Sequence, residues 1–157
     1  MAKIDELVVN FAVYEDANEY LGMAEATLPD LEYLAEEMSG AGIAGNVEEI
    51  IIGHLSAMTT TLNFRTVCKA AVRLLEPRTH KLDLRVAQQQ MNNRTSETTI
   101  TGVKHIMRVK PKKTALGKVA AASTADVSGE YATQYYAMYM DGKKVTEIDP
   151  LNFICII

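Results

Sequence analysis

The chain has 157 residues, 48% of them hydrophobic and 23% charged, and a net charge of −4 from 16 Lys and Arg against 20 Asp and Glu. That is the composition of one folded domain, 1–157, large enough to bury a core without disulfide or metal staples. It argues against a disordered chain, and its acidic balance argues against a protein that grips nucleic acid through phosphate contacts. No apolar run approaches the roughly 20 residues of a bilayer crossing. The start, MAKIDELVVNF, carries acids where a secretory leader needs an apolar stretch, so folding in a cytoplasm is expected. Cys68 and Cys155 lie far apart and outside any CxxC pair, and they read as buried free thiols rather than metal ligands or a redox couple.

In chain order, LVVNFAV (7–13) is β-branched and aromatic and predicts a strand, with EDANE turning it into a hairpin. In LPDLEYLAEEM (28–38), Leu31, Leu34 and Met38 fall at helical spacing behind a candidate Asp30 cap, while Pro29 and Tyr33 suit an extended edge; propensity favours helix. NVEEIIIG and AMTTTLNF predict two strands, the second with Met58, Thr60 and Leu62 on one face and His54 in the turn between them. Thr66 to Leu75 is the best helix, with Val67, Ala70, Ala71 and Leu74 as its apolar stripe and Pro77 ending it. HKLDLRVAQQQ alternates Leu82, Leu84 and Val86 against Asp83 and Arg85, a one-sided strand, and NNRTS turns the chain. TTITGVKHIMRVK sets Val103, His105, Met107 and Val109 on one face. PKKTALGKVAAAS then reads as a loop carrying Lys112, Lys113 and Lys118, with Lys110 just before it. GEYATQYYAMYM is a last long strand, joined to KKVTEID through Asp141-Gly142, the strongest hairpin signal in the chain because both central residues of a type I′ turn need positive φ. The fold class is therefore mainly antiparallel β, a sandwich or partial barrel with one flanking helix.

SGAGIAGN (39–46) contains Gly40-x-Gly42-x-x-Gly45, the spacing of a dinucleotide cradle. That use needs a buried strand before it, a helix opening on the last glycine and an acid about 20 residues on. Here an acidic segment precedes it, β-branched residues follow, and 59–66 hold no acid, so the glycines read as a pliable loop. His54, His80 and His105 are scattered, and His105 reads as a hydrogen-bonded packing histidine. Glu36-Glu37 and Glu48-Glu49 are neighbours in sequence, which in a strand sends each pair to opposite faces and makes them solvated charge rather than acid/base partners. No catalytic, cofactor-binding or metal site is assigned. On the tyrosine strand, Tyr131, Tyr135 and Tyr139 with Ala137 are expected on one face, and Tyr136, Met138 and Met140 on the other. A strand apolar on both sides is either central to a covered sheet or faces another subunit. The lysines read as a solvated loop or as a dock for acidic surface on another copy.

YYAMYMDGKKVTEIDPLNF, with an aromatic strand running into Met-Asp-Gly-Lys-Lys, then Val-x-Glu-Ile-Asp and Asn152 three residues after Asp149, resembles the end of the major tail tube proteins of contractile-tailed phages. TLPDL (27–31), SGAGIAG (39–45), strands and a helix follow the order of the same family. The resemblance implies a small β-sandwich with a flanking helix that forms homo-hexameric, stacked rings, the strands joining into one ring-wide barrel around a channel. It implies a sheath protein outside, a tape-measure protein within at first, a baseplate tube initiator, and transient passage of DNA without specific binding, all in a virion tail assembled in the bacterial host cytoplasm. It further implies that 31–38 are extended and lead into a loop between subunits and rings, so that Gly40, Gly42, Ile43, Gly45 and Asn46 serve contacts between copies. This overrides the helical propensity there.

Tyr131, Tyr135, Tyr136, Met138 and Tyr139 then belong to an assembly strand, and Asp141 and Gly142 to its hairpin turn. A channel that passes phosphate without holding it needs a net acidic wall, which puts Lys110, Lys112, Lys113 and Lys118 outside or between rings. The alternatives are the tube of a headless phage-tail-like bacteriocin, a secretion-system tube protein and, remotely, a small nucleotide-binding enzyme using the glycine motif.

Overall fold

Long runs that alternate apolar and polar residues give antiparallel strands wherever one face can be buried. The computed structural model describes residues 3–15, 19, 20, 25–67 and 69–157. In order they form β1 (Lys3–Glu15), β2 (Glu19–Tyr20), β3 (Glu25–Thr27), β4 (Tyr33–Met38), β5 (Val47–Leu55), β6 (Met58–Phe64), α1 (Lys69–Arg73), β7 (His80–Asn92), β8 (Thr98–Ala115), β9 (Val127–Met140), β10 (Lys143–Asp149) and β11 (Ile154–Ile156). Nine of the described strands make one sheet, running β11-β10-β9-β8-β7-β1-β2, and it curls into a half-barrel. β9 is long enough to hold two partners on one side: β6 lies against its first half and β10 against its second, with β3 beyond β6. β4 and β5 stand apart as a two-stranded arm.

One face of this arrangement holds the core. Val13, Leu82, Leu84, Met107, Val109, Tyr131, Tyr136 and Ile148 come from the sheet, and Met58, Leu62 and Phe64 from β6, with Ala71 and Leu74 packing from the helical segment. Polar groups inside are paired: the Thr60 and Thr133 hydroxyls lie 2.6 Å apart, and His105 Nδ1 is 2.7 Å from the Tyr136 hydroxyl. Burial holds the His105 ring below its ordinary pKa of 6.5 and pushes the Tyr136 phenol up to about 12, so both stay uncharged in the core.

A second buried group ties the chain after α1 to the end of β1. Glu15 is 2% exposed and His80 fully buried. Nδ1 of His80 lies 2.6 Å from Glu15 Oε1, and Nε2 donates to the Glu76 carbonyl at 3.0 Å. Arg78 adds a 3.1 Å bond to the same carboxylate oxygen, and Arg73 stands 4.0 Å from the other.

Several expectations change. Residues 33–38 are strand, as the resemblance implied and against local propensity, because pairing with β5 outweighs a weak helical preference. His54 lies within β5 rather than in a turn. The helix keeps only Lys69–Arg73, with Ala71 and Leu74 buried but Val67 half exposed. β8 continues to Ala115, so Lys110, Lys112 and Lys113 are strand residues and Lys118 alone is in the loop. Asp83 is buried, against a one-sided strand, because Arg85 and Lys104 pair with its carboxylate. Residues 16–18 of the expected EDANE turn (15–19), and Cys68, fall outside the described residues, and Cys155 is half-buried.

The tyrosine strand is also corrected. An irregularity between Arg108 and Val109 sets Tyr135 opposite the former and Thr133 opposite the latter, leaving Gln134 as an extra residue in β9. One added residue reverses the parity of everything beyond it. Tyr131 therefore shares the core face with Tyr136 and Met138, while Tyr135, Ala137 and Tyr139 point to the open face. Asp141 and Gly142, at φ 51 and 80, make the expected turn between β9 and β10.

Candidate assembly surfaces

The arm is the first surface. All of β4 is exposed, and so is β5 apart from Leu55 at its base. The register pairs Met38 with Val47, Glu37 with Glu48, Glu36 with Glu49 and Ala35 with Ile50. Alternation then puts Glu36 and Glu49 on the face with Met38 and Val47, and Glu37, Ala35, Glu48 and Ile50 on the other; the register shifts before Tyr33 pairs with Leu55, and Ile52 in that stretch is 86% exposed. The glycine run forms the arm's tip, closed by a hydrogen bond from Ile43 N to Gly40 O of 3.1 Å. A strand, not a helix, follows it, so no helix N-terminus is aimed at a phosphate. Gly42 at φ +89 adopts a backbone that L side chains rarely take, and a Cβ there would meet nothing within 4 Å.

The open face of the large sheet is the second surface. Its cations are largely tied down: Arg85 and Lys104 to Asp83, Arg108 to Asp149 at 3.4 Å, and Lys144 to Glu147. The Arg108 guanidinium lies over the Tyr135 ring, 4.4 Å from its centroid, and the Lys144 ammonium is 5.8 Å from that of Tyr139. Lys144, and less so the Tyr135 hydroxyl, hold Glu147 below the usual carboxylate range, and Glu147 raises Lys144 in turn. Lys110, Lys112, Lys113 and Lys118 are exposed at the far end of β8 and enter none of the described ion pairs.

The third surface is the pair of sheet edges. Between Lys3 and Val13, β1 pairs with β7 on one side and with no described strand on the other, and Ile4, Leu7, Val8 and Val9 are exposed there. At the opposite edge, β11 pairs only with β10, and Phe153 stands 95% exposed in a left-handed turn before it. An open edge as long as that of β1 templates pairing with another chain, and the three-residue β11 offers a shorter one. Composition signalled neither β11 nor the Phe153 turn, because three apolar residues after a proline carry no period.

Among the described residues no group of three His, Cys, Asp or Glu side chains is placed to hold a metal ion, and no helix is long and apolar enough to cross a membrane. Known proteins give the surfaces a context. A family model described as phage tail tube protein FII matches residues 5–157. Curated proteins give no match. Among solved structures, a chain of the PVC sheath/tube terminator of an extracellular contractile injection system in the extended state has a TM-score of 0.59 at 13% identity, over 83% of this chain and 94% of that one. A chain of the PVC sheath-tube complex has 0.54 at 14% identity, over 83% and 88%. A chain of the six-fold symmetrised baseplate of the anti-feeding prophage has 0.55 at 9% identity, over 87% and 93%. At these identities the likeness is one of fold.

Proposed function

From the chain's membership of the phage tail tube family, with its structural role in a tail tube, we propose that it closes into stacked homo-hexameric rings whose strands join into one barrel around a channel for DNA delivery. The observation that carries this reading is the pair of open edges, β1 on one side of the sheet and β11 on the other. A curled half-barrel with an unpaired strand at each end satisfies its backbone groups by pairing edge to edge with the next copy. Ring closure then leaves no edge exposed.

The same surfaces suit the wider machine. Copies stacked along an axis bury the arm and the sheet ends, and partners of the kinds seen with the related folds, a sheath and a baseplate, take the outer surface and the first ring. A tape-measure protein fills the channel before DNA does, and the particle is a virion tail assembled in the host cytoplasm. Passage without sticking requires few free cations on the wall. On the open face Arg85, Lys104, Arg108 and Lys144 are bound to carboxylates, and the free lysines gather at one end, where a ring's rim meets its neighbour. The protein works by repeated self-complementary surfaces rather than by a reacting site.

Electron microscopy of the purified chain at rising concentration, with and without a baseplate initiator, tests this. Rings or tubes with a central hole are the expected result. Compact particles that never polymerise, even on an initiator, would contradict it, and tight binding of a nucleotide would favour the glycine-motif enzyme instead.

A further inference from the structure

A two-stranded ribbon alone is marginal in water, and this arm has further reasons to be unstable by itself. Apolar side chains stand exposed on both of its faces, and only its base, at Ile52–Leu55, lies against the β10–β11 end of the sheet. Its register also sets Glu36 directly opposite Glu49 and Glu37 opposite Glu48, a like-charge pair on each face. Such pairs destabilise a ladder. The chain supplies no remedy nearby: no Lys or Arg occurs from residue 25 to residue 64, and none of the described ion pairs involves these four carboxylates.

The complementary surface is present elsewhere on the same molecule. Lys110 and Lys113 project from the open face of β8, where they sit opposite Ala132 and Glu130 of β9. Lys112 lies at the irregularity between Pro111 and Lys113, and Lys118 follows in the loop. Four carboxylates and four lysines that enter none of the described ion pairs thus occupy separate exposed surfaces of one chain, Lys113 alone having a carboxylate, Glu130, opposite it in the ladder.

We propose that the β4–β5 arm of one copy docks on the lysine end of β8 in a second copy, the face carrying Glu36 and Glu49 meeting Lys110, Lys112, Lys113 and Lys118 while Met38 and Val47 of that face are covered. The contact is heterologous, each copy giving one arm and receiving another, so it propagates through an array rather than closing a pair. It rests on the tube reading for the geometry of that array. Its charged rim makes association fall with rising salt, since screening shortens the reach of exposed charges.

Charge exchange on the full chain tests the docking. One variant carries Glu36→Lys and Glu49→Lys, a second carries Lys110→Glu and Lys112→Glu, neither of which faces an acid across the ladder, and a third carries all four changes. Every altered side chain is exposed, so the fold is kept. Sedimentation velocity reads association whatever its form, and electron microscopy reads whether the product is a tube. Each two-residue reversal is expected to raise the concentration needed for association at least roughly tenfold, because like charges then face each other. An equal mixture of the two, and the four-residue variant alone, are expected to return toward the parent value. Recovery in the mixture also shows that neither component is misfolded.

Two-residue variants that associate like the parent, a mixture as defective as its components, or a parent that stays monomeric would each overturn the docking. Tubes indifferent to the reversals would overturn the docking and leave the tube reading intact. Reversal-sensitive, mixture-rescued assemblies that are not tubes would support the docking and count against the tube.

Discussion

Removing the His80 imidazole probes how the segment after α1 is fixed to the sheet. His80→Leu deletes the 2.6 Å contact to Glu15 and the 3.0 Å bond to the Glu76 carbonyl, leaving a carboxylate that is 2% exposed facing only Arg78 and the more distant Arg73. Breaking one partner out of a buried charged group costs about 3–5 kcal/mol. For a chain of this size that corresponds to a fall in Tm of about 6–20 °C. The companion Glu15→Leu/His80→Leu removes both members and leaves Arg73 and Arg78, which reach solvent, to hydrate themselves. Its loss should be smaller than that of His80→Leu alone, since apolar replacement of a whole buried pair is often near neutral. Thermal unfolding of the monomer by circular dichroism measures both. A fall below about 3 °C for the single variant, or a double variant less stable than the single, would refute the view that His80 chiefly compensates the Glu15 charge.

Other expectations concern the core and the arm. A Cβ at Gly129 would lie 2.4 Å from the Tyr131 hydroxyl, so Gly129→Ala should displace that buried ring and cost about 1–3 kcal/mol, read as a lower Tm; an unchanged Tm would contradict the packing. Because burial depresses the His105 pKa, the unfolded chain takes up a proton below about pH 6.5 that the native chain does not. Stability should therefore drop as pH falls through that value, by up to about 1.4 kcal/mol per pH unit, and denaturant titrations should show this slope flattened in His105→Gln. Gly42→Val forces a β-branched residue to φ +89 at the arm's tip, away from the core. The monomer should keep its Tm while ring stacking is impaired, and undiminished tube assembly would remove the glycines from the account.

Strands whose apolar residues alternate without interruption were readable in the sequence, as with Met58, Thr60 and Leu62 or Val103, His105, Met107 and Val109, because burial of one face leaves a period of two. The Asp141-Gly142 turn was readable because its backbone demands those residues. Misreadings came where a distant neighbour decides. Gln134 is the added residue that turns Tyr131 away from Tyr135, and nothing local marks it. Pro111 suggested a loop, yet β7 ends its pairing with β8 at Val109, so the proline lies where one side of β8 is free and needs no donor. The acids of the arm looked like ordinary solvated charge because facing Glu36 with Glu49 is a property of register, which sequence neighbours do not carry. The least legible part is the exposed pair Phe153 and Ile52, which line one pocket between the base of β5 and β11 although no period in the sequence brings those segments together.

The central claim is that two open edges of one curled sheet meet between copies to enclose a channel. A helical cryo-electron reconstruction of the assembled protein tests it most directly. The expected map is a hollow tube in which the free side of β1 is hydrogen-bonded to a strand of the adjacent subunit and the barrel is continuous around the ring. An assembly in which the β1 and β11 edges both face solvent would contradict it.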